Sequence, residues 1–170
     1  MIEEGNFYFN KKNLKKLNFV FKSKINSDIL IKKSNLFYKN ADKELVTLLS
    51  SKDIKFEFDK KNQRNLITLI GKIFNTSIKI QSDIDYISKK NNTNIFLKDL
   101  KLKIKNESTY TKEYSSNNQI KSFRTNLNSN LKIYKNKLYI KSIESSFQLI
   151  PLNYTIDIDL DPFSFNSKIY

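Results

Sequence analysis

Residues 97–106 read LKDLKLKIKN. Leu100, Leu102 and Ile104 alternate with Lys101, Lys103 and Lys105. A β-strand sends successive side chains to opposite faces, so this spacing predicts one apolar face and one ammonium-lined face. The same device recurs in both directions. Residues 76–84, TSIKIQSDI, bring Ile78, Ile80 and Ile84 together, and residues 53–59, DIKFEFD, set Ile54, Phe56 and Phe58 against Lys55 and Glu57. Residues 17–25, LNFVFKSKI, align Leu17, Phe19, Phe21 and Ile25. Toward the other end Leu131, Ile133, Leu138 and Ile140 continue the pattern. YTIDIDL (154–160) then sets Tyr154, Ile156, Ile158 and Leu160 against Thr155, Asp157 and Asp159. Phe163 and Phe165 repeat it in FSFNSKIY. Each stretch reads as a half-buried antiparallel strand, and the spacing predicts an all-β chain of about ten to twelve strands.

Departures from this pattern are few. Asp42–Ser50, DKELVTLLS, holds Leu45, Val46, Leu48 and Leu49 at helical spacing and reads equally as an irregular strand. Residues 106–130 are the most polar stretch and read as a long loop or a weakly patterned strand pair. Gly5 and Gly71 are the only glycines, so asparagine is expected to supply positive φ at turns. Candidate turns are Lys11-Lys12-Asn13, Asn40-Ala41-Asp42, Lys60-Lys61-Asn62, Asn91-Asn92, Asn117-Asn118 and Lys135-Asn136-Lys137. An apolar-x-apolar-x-Ser-x-Ile repeat begins at Phe19, Ile78 and Phe163, at uneven intervals.

At 170 residues the chain is long enough for one domain with a core. Hydrophobic residues make up 39% and charged residues 28%, a balance that suits a thin sheet better than a deep interior. The formal charge is +14, from 31 basic and 17 acidic side chains. That excess fits an anionic partner, nucleic acid or a lipid head-group surface. It equally fits a compositional bias, because Lys, Asn and Ile are abundant together and arginine, the better phosphate ligand, occurs only at Arg64 and Arg124.

The residues for chemistry are scarce. There is no Cys and no His, which removes disulfides, thiolate metal sites and the commonest general base. Two glycines cannot build a phosphate-cradling loop. Asp157, Asp159 and Asp161 form D-x-D-x-D, which presents three carboxylates on one strand face but lacks the glycine turn and distant Glu of a calcium loop. A solvated strand face explains them as well. No catalytic residue, metal site, cofactor or small-molecule substrate is implied, and the expectation is a protein that is not an enzyme. No stretch approaches the roughly 18 apolar residues of a membrane span. MIEEGNFYF enters strand-like alternation at once, and both ends stop inside the pattern, which predicts a segment of a longer chain or a chain whose start was called late.

The apolar face must be covered. Two sheets packed face to face would make a closed β-sandwich, a structural or interaction module without ligand. One curved sheet would instead leave an open groove. Binding of single-stranded nucleic acid needs aromatics among the lysines, whereas the strand phenylalanines fall opposite the charged positions.

Several stretches, in order, resemble the AsmA-like family. They are ILIKKSNLFYKNADKE (29–44), LSSKDIKFEF (49–58), LITLIGKIFNTSIKIQSDID (66–85), IFLKDLKLKIKN (95–106) and YTIDIDLDPFSFNSKI (154–169). The likeness spans most of residues 29–170 and consists of amphipathic alternation with no catalytic residue. It implies an antiparallel, strongly twisted, curved sheet forming an open groove, with residues 1–170 a single β-sheet segment of a longer repeating structure. AsmA- and TamB-type proteins are bridge-like envelope proteins linked to phospholipid movement and outer-membrane assembly. They lie in the periplasm, tethered to the inner membrane. The resemblance therefore implies phospholipid acyl chains as partners, an inner-membrane anchor supplied by a segment not in this chain, and no nucleic acid. It implies a groove lined by Phe19, Phe21, Phe56, Phe58, Ile78, Ile80, Leu100, Leu102, Ile104, Ile156, Ile158, Phe163 and Phe165.

Overall fold

Among the described residues, alternation of the kind seen in LKLKIK is realised in fifteen strands that pair into one sheet. The computed structural model describes residues 1–10, 27–40, 42–110, 114–160 and 163–170, with backbone only at Tyr110, Leu160 and Phe163. The strands are β1 (Ile2–Glu3), β2 (Asn6–Phe9), β3 (Ile29–Lys39), β4 (Leu45–Asp59), β5 (Arg64–Ile73), β6 (Thr76–Asp85), β7 (Lys90–Leu97) and β8 (Leu102–Tyr110). They continue as β9 (Tyr114–Ser122), β10 (Thr125–Tyr134), β11 (Lys137–Ser142), β12 (Ser145–Phe147), β13 (Ile150–Leu152), β14 (Tyr154–Leu160) and β15 (Phe163–Ile169). Twelve of them form one unbroken path, β1-β3-β4-β5-β6-β7-β8-β9-β10-β11-β14-β15. From β3 to β11 each strand pairs antiparallel with the next, a long meander, while the short β1 and β2 run parallel to β3. The sheet does not close into a barrel, and among the described residues no second sheet packs on it. The open, curved, all-β arrangement is the expected one, and the closed sandwich is not what forms.

Single-layer construction shows in the burial. Among the described residues only Ile54 (5% exposed) and Ile78 (8%) are buried hydrophobic side chains, while most strand residues are half-buried. Several small polar residues are buried instead, Ser34, Ser51, Ser108 and Ser116 among them.

A row of small residues crosses the first strands. Ser34 pairs with Ser51, and Ser51 with Gly71. Gly71 is glycine because the β4 backbone passes too close for anything larger: a Cβ would collide with the Ser50 carbonyl oxygen and stand 3.0 Å from Ser51 Cα. Beside this row Lys33 adopts positive φ and Lys52 is an extra residue in β4, so the inward set changes phase there. Ile29 and Ile31 face inward before Lys33, and Ser34, Leu36 and Tyr38 after it. Irregularities of this kind bend a sheet.

Local expectations fare unevenly. Leu45–Ser50 is strand, the start of β4, because Leu48 and Leu49 each face a strand partner, Phe37 and Leu36. The polar stretch 106–130 is strand as well, with β8, β9 and β10 pairing in continuous register. Turns form at Lys60–Gln63 and Lys135–Asn136, but Asn91, Asn92, Asn117 and Asn118 lie within strands. Lys11-Lys12-Asn13, the strand 17–25 and Ala41 lie outside the described residues. Asparagine is not the main source of positive φ: of thirteen such described residues, five are lysines and one is Asn75.

Candidate functional site on the inner face

Register places one aliphatic side chain at the same level on nine neighbouring strands. Ile2 pairs with Ile31, Ile31 with Ile54, Ile54 with Leu69, and Leu69 with Ile80. The row continues from Ile80 through Ile95, Ile104 and Ile120 to Leu127. Direct partners project to the same face, so these nine side chains make one continuous apolar rail running across the strands. Their spacing follows from the sheet itself: eight inter-strand steps of about 4.8 Å span about 38 Å.

At the β2–β6 end the rail widens into a trough. Its volume is about 1180 Å³, and its walls include Phe7 and Phe9 of β2, Leu36 and Tyr38 of β3, Leu49, Ile54 and Phe56 of β4, Ile67 and Leu69 of β5, and Ile80 and Ile84 of β6. Residues on both sides of the Ser34–Ser51–Gly71 row line this one volume. The volume exceeds the roughly 300–1,000 Å³ of most small-molecule sites.

The lining turns polar toward one margin. Asp85, Tyr86, Lys89, Asn91, Thr93 and Ser82 complete the trough wall. The Ser82 hydroxyl lies 2.7 Å from Asn91 Oδ1 and 3.0 Å from Thr93 Oγ1. Farther along, Asn106 Nδ2 donates to Asn118 Oδ1 at 2.6 Å, and Asn118 Nδ2 donates to the Ser116 hydroxyl at 3.1 Å. These side chains occupy the levels next to the rail, so from β6 onward a polar ladder runs alongside it. The Ser108 hydroxyl, buried in this ladder, has no hydrogen-bond partner among the described residues. At the margin Asn65 Nδ2 donates to the Tyr86 hydroxyl at 2.6 Å, and burial pushes the Tyr86 phenol above its ordinary value. Asp85 accepts the backbone N–H groups of Ser88 and Ile87, both at 2.9 Å, and these bonds hold its carboxyl below the usual carboxylate range. Arg64 reaches Asp83 at 3.4 Å and Asp85 at 3.3 Å, closing the turn from outside.

The residues singled out from sequence divide accordingly. Phe56 and Ile80 line the trough, and Phe58 follows Phe56 on the same face of β4. Ile104 belongs to the rail, with Ile78 and Leu102 one level away beside Leu97. Ile156 and Ile158 share this face on β14, far across the sheet from the trough, and Phe165 pairs with Ile158 but is largely exposed. Phe163 pairs with Leu160 in backbone register. Phe19 and Phe21 lie outside the described residues. Leu100 departs from the expected face: Lys98–Lys101 is a turn, Lys101 has positive φ, and Leu100 stands at its tip, 51% exposed. Alternation in LKDLKLKIKN thus begins only at Leu102.

Phe7, Phe9, Leu36, Leu49, Ile67 and Leu69 join the site without having been singled out. The Phe7-x-Phe9 spacing signals the first two. Ile67 and Leu69 are masked in sequence by Leu66 and Ile70, which are apolar on the outer face.

The outer face carries the cations. Lys103 and Lys105 project from β8 opposite to Leu102 and Ile104, as the spacing requires. Phe96 shares that outer face, with Lys103 Nζ 5.8 Å from its ring. Asp157 and Asp159 are outward on β14, Asp159 facing Lys137 Nζ at 3.5 Å, and Asp161 lies outside the described residues. No cluster of three metal-ligating side chains occurs among the described residues. No helix of the described residues is long and apolar enough to cross a membrane. No protein-family model, curated protein or solved structure matches the chain.

Proposed function

We propose that this chain is a segment of an AsmA-like β-groove protein whose inner face holds phospholipid acyl chains and lets them move across the sheet. The single observation behind this reading is the aliphatic rail, nine side chains at one register level opening into the trough. A large apolar surface on a single-layer sheet calls for a cover, and exposed patches beyond a few hundred Å² mark binding sites. An acyl chain in a bilayer spans about half of the roughly 30 Å hydrocarbon core, so a rail of about 38 Å seats two tails end to end.

The mechanism is passive. Each buried CH₂ contributes about 0.8 kcal/mol, and aliphatic walls offer no directional contact to arrest sliding. The polar ladder of Ser82, Thr93, Asn106 and Asn118 keeps pace with the rail and offers hydroxyls and amides to the ester and head-group end. No residue acts as a catalyst in this scheme. On the same reading the working protein resides in the periplasm, held at the inner membrane by an anchor outside this chain, and serves phospholipid transfer or outer-membrane assembly.

Mass spectrometry of lipid that co-purifies without detergent tests it. Stoichiometric phospholipid is expected with the natural sequence and with Lys79→Asp on the outer face, and none with Ile80→Asp on the rail. Phospholipid retained by folded Ile80→Asp, or absent from the natural sequence, would overturn the reading. A rival role, single-stranded nucleic-acid binding, draws on Phe96 beside Lys103, and it predicts oligonucleotide affinity that falls steeply with salt.

A further inference from the structure

The two rims of the sheet differ in how many apolar side chains their turns expose. The turns between β5 and β6, β7 and β8, β9 and β10, and β12 and β13 all lie on one rim, because the strands alternate in direction. Each of these turns ends in an apolar side chain held out in solvent: Phe74 (67% exposed), Leu100 (51%), Phe123 (80%) and Leu149 (70%). Their conformations push them outward, since Phe74, Phe123 and Leu149 themselves adopt positive φ. On the opposite rim, among the described residues, the turns are Lys60–Gln63, Tyr86–Lys89 and Lys135–Asn136; they carry lysines as well, but the large apolar side chains exposed there are fewer, Ile87 and, at the edge of the last turn, Tyr134.

The tips form a continuous edge. Ser77 N–H donates to Asp99 at 2.7 Å and Lys98 N–H to the Ser77 carbonyl at 3.0 Å, tying the first turn to the second. Lys101 Nζ lies 5.7 Å from the Phe123 ring, linking the second to the third. Leu149 N–H donates to the Arg124 carbonyl at 3.1 Å, linking the third to the fourth. Tips two strands apart stand about 10 Å from one another.

Charge along this edge has one sign. Lys72, Lys98, Lys101, Lys121 and Arg124 lie within two residues of the tips, against Asp99 alone, whose carboxylate is already engaged by Ser77. The β3–β4 turn carries Asp42 and Glu44 on either side of Lys43, so the cationic excess stops there.

We infer that this rim docks on an anionic lipid bilayer, with Phe74, Leu100, Phe123 and Leu149 entering the head-group and acyl boundary and the five cations meeting lipid phosphates. Apolar tips flanked by lysines are the composition of interfacial anchors, where one end is greasy and the other wet. Lipid is the better match than nucleic acid because Leu100 and Leu149 have no ring to stack on a base and Arg124 is the one guanidinium at the edge. The inference stands apart from the trough's cargo: the rim can dock whether or not the rail is loaded.

Co-sedimentation with sucrose-filled vesicles tests it, comparing pure phosphatidylcholine with one part phosphatidylglycerol in two of phosphatidylcholine. Binding to the anionic vesicles is expected, weak binding to the neutral ones, and a drop of about tenfold or more for Phe74→Ser with Phe123→Ser. Because all four tips are exposed, these variants leave the sheet's pairing intact, and circular dichroism checks that. Ile80→Asp, which disables the rail, is expected to bind vesicles as the natural sequence does, so failure of the cargo reading and failure of this one are told apart. A Phe123→Trp reporter is expected to shift its emission to the blue on binding and to be quenched by brominated lipid. The inference is overturned if the serine variants bind vesicles like the natural sequence, if the reporter stays in water, or if Lys103→Glu with Lys105→Glu on the outer face abolishes binding as fully as loss of the tips. It is overturned as well if a single-stranded oligonucleotide displaces the chain from vesicles at the concentration at which it saturates the rim.

Discussion

Ser34 is the most deeply buried side chain described, and its hydroxyl ties the β1–β2 connection to β3. It accepts the Gly5 N–H at 3.0 Å and donates to the Lys32 carbonyl at 2.8 Å, while Ser51 Oγ donates to the Ser34 carbonyl at 2.8 Å. Ser34→Ala therefore strips a part-buried N–H of its acceptor. We expect a loss of about 1–2 kcal/mol in urea unfolding. An unchanged midpoint would mean that the β1–β2 segment separates without consequence for the rest. Asp85 acts through its ionisation. Its carboxyl is held below the ordinary 3.8 chiefly by the Ser88 N–H, and Asp99 and Asp59 are held low by Ser77 and Asn62 at their own turns. Folded values below unfolded ones mean that the contribution is complete above the unfolded value and disappears as pH falls through the folded one. The thermal midpoint should be flat from neutral pH to about pH 5 and decline below about pH 4, less steeply in Asp85→Asn.

Among the elements, the hairpins store strain that substitution can relieve. Phe74 and Asn75 both have positive φ, the pattern of a type I′ turn, which favours Asn-Gly. Phe74→Asn with Asn75→Gly should stabilise the β5–β6 hairpin by about 1 kcal/mol, read from the denaturant midpoint at constant m value. Strand identity was legible wherever isoleucine alternates with lysine, as in Ile78-x-Ile80 and Leu102-x-Ile104. It was not legible where the backbone changes phase. Lys33 and Lys52 look like ordinary outward lysines, yet each shifts the inward set of its strand, and nothing in a lysine announces positive φ or an inserted residue. Leu100 fails for a related reason: the Lys98–Lys101 turn contains no Gly, Pro or Asn to mark it. Asparagine misleads in the opposite direction. Asn106 and Asn118 read as loop residues but bond each other across β8 and β9, so a polar inner face can be strand as readily as an apolar one. The rail was half legible for this reason. Its isoleucines were visible strand by strand, but their level in the sheet depends on register, which the turns and bulges set.

At the scale of the whole molecule, the sheet offers the surface of a fold without the interior of one. The +14 charge spreads over the outer face and the turns of both rims, and apolar residues line the inner face. Rail loading with its Ile80→Asp test and rim docking with its serine variants are whole-molecule predictions, since each surface is assembled from four or more strands.

The meander topology has a kinetic counterpart. Among the described residues no second sheet packs on this one, and each strand from β4 to β9 pairs with the strands before and after it, so stability resembles that of a solenoid, a sum of nearest-neighbour terms. Such a molecule melts inward from its ends. Amide hydrogen exchange should be slowest at β5 and β6, beside the buried Ile54 and Ile78, and should quicken strand by strand toward β15. A single exchange rate shared by all strands would show a cooperative unit instead. Because nearly every pairing is between chain neighbours, folding proceeds by zipping, one hairpin templating the next, and a nascent chain can build the sheet while its later strands are still being made.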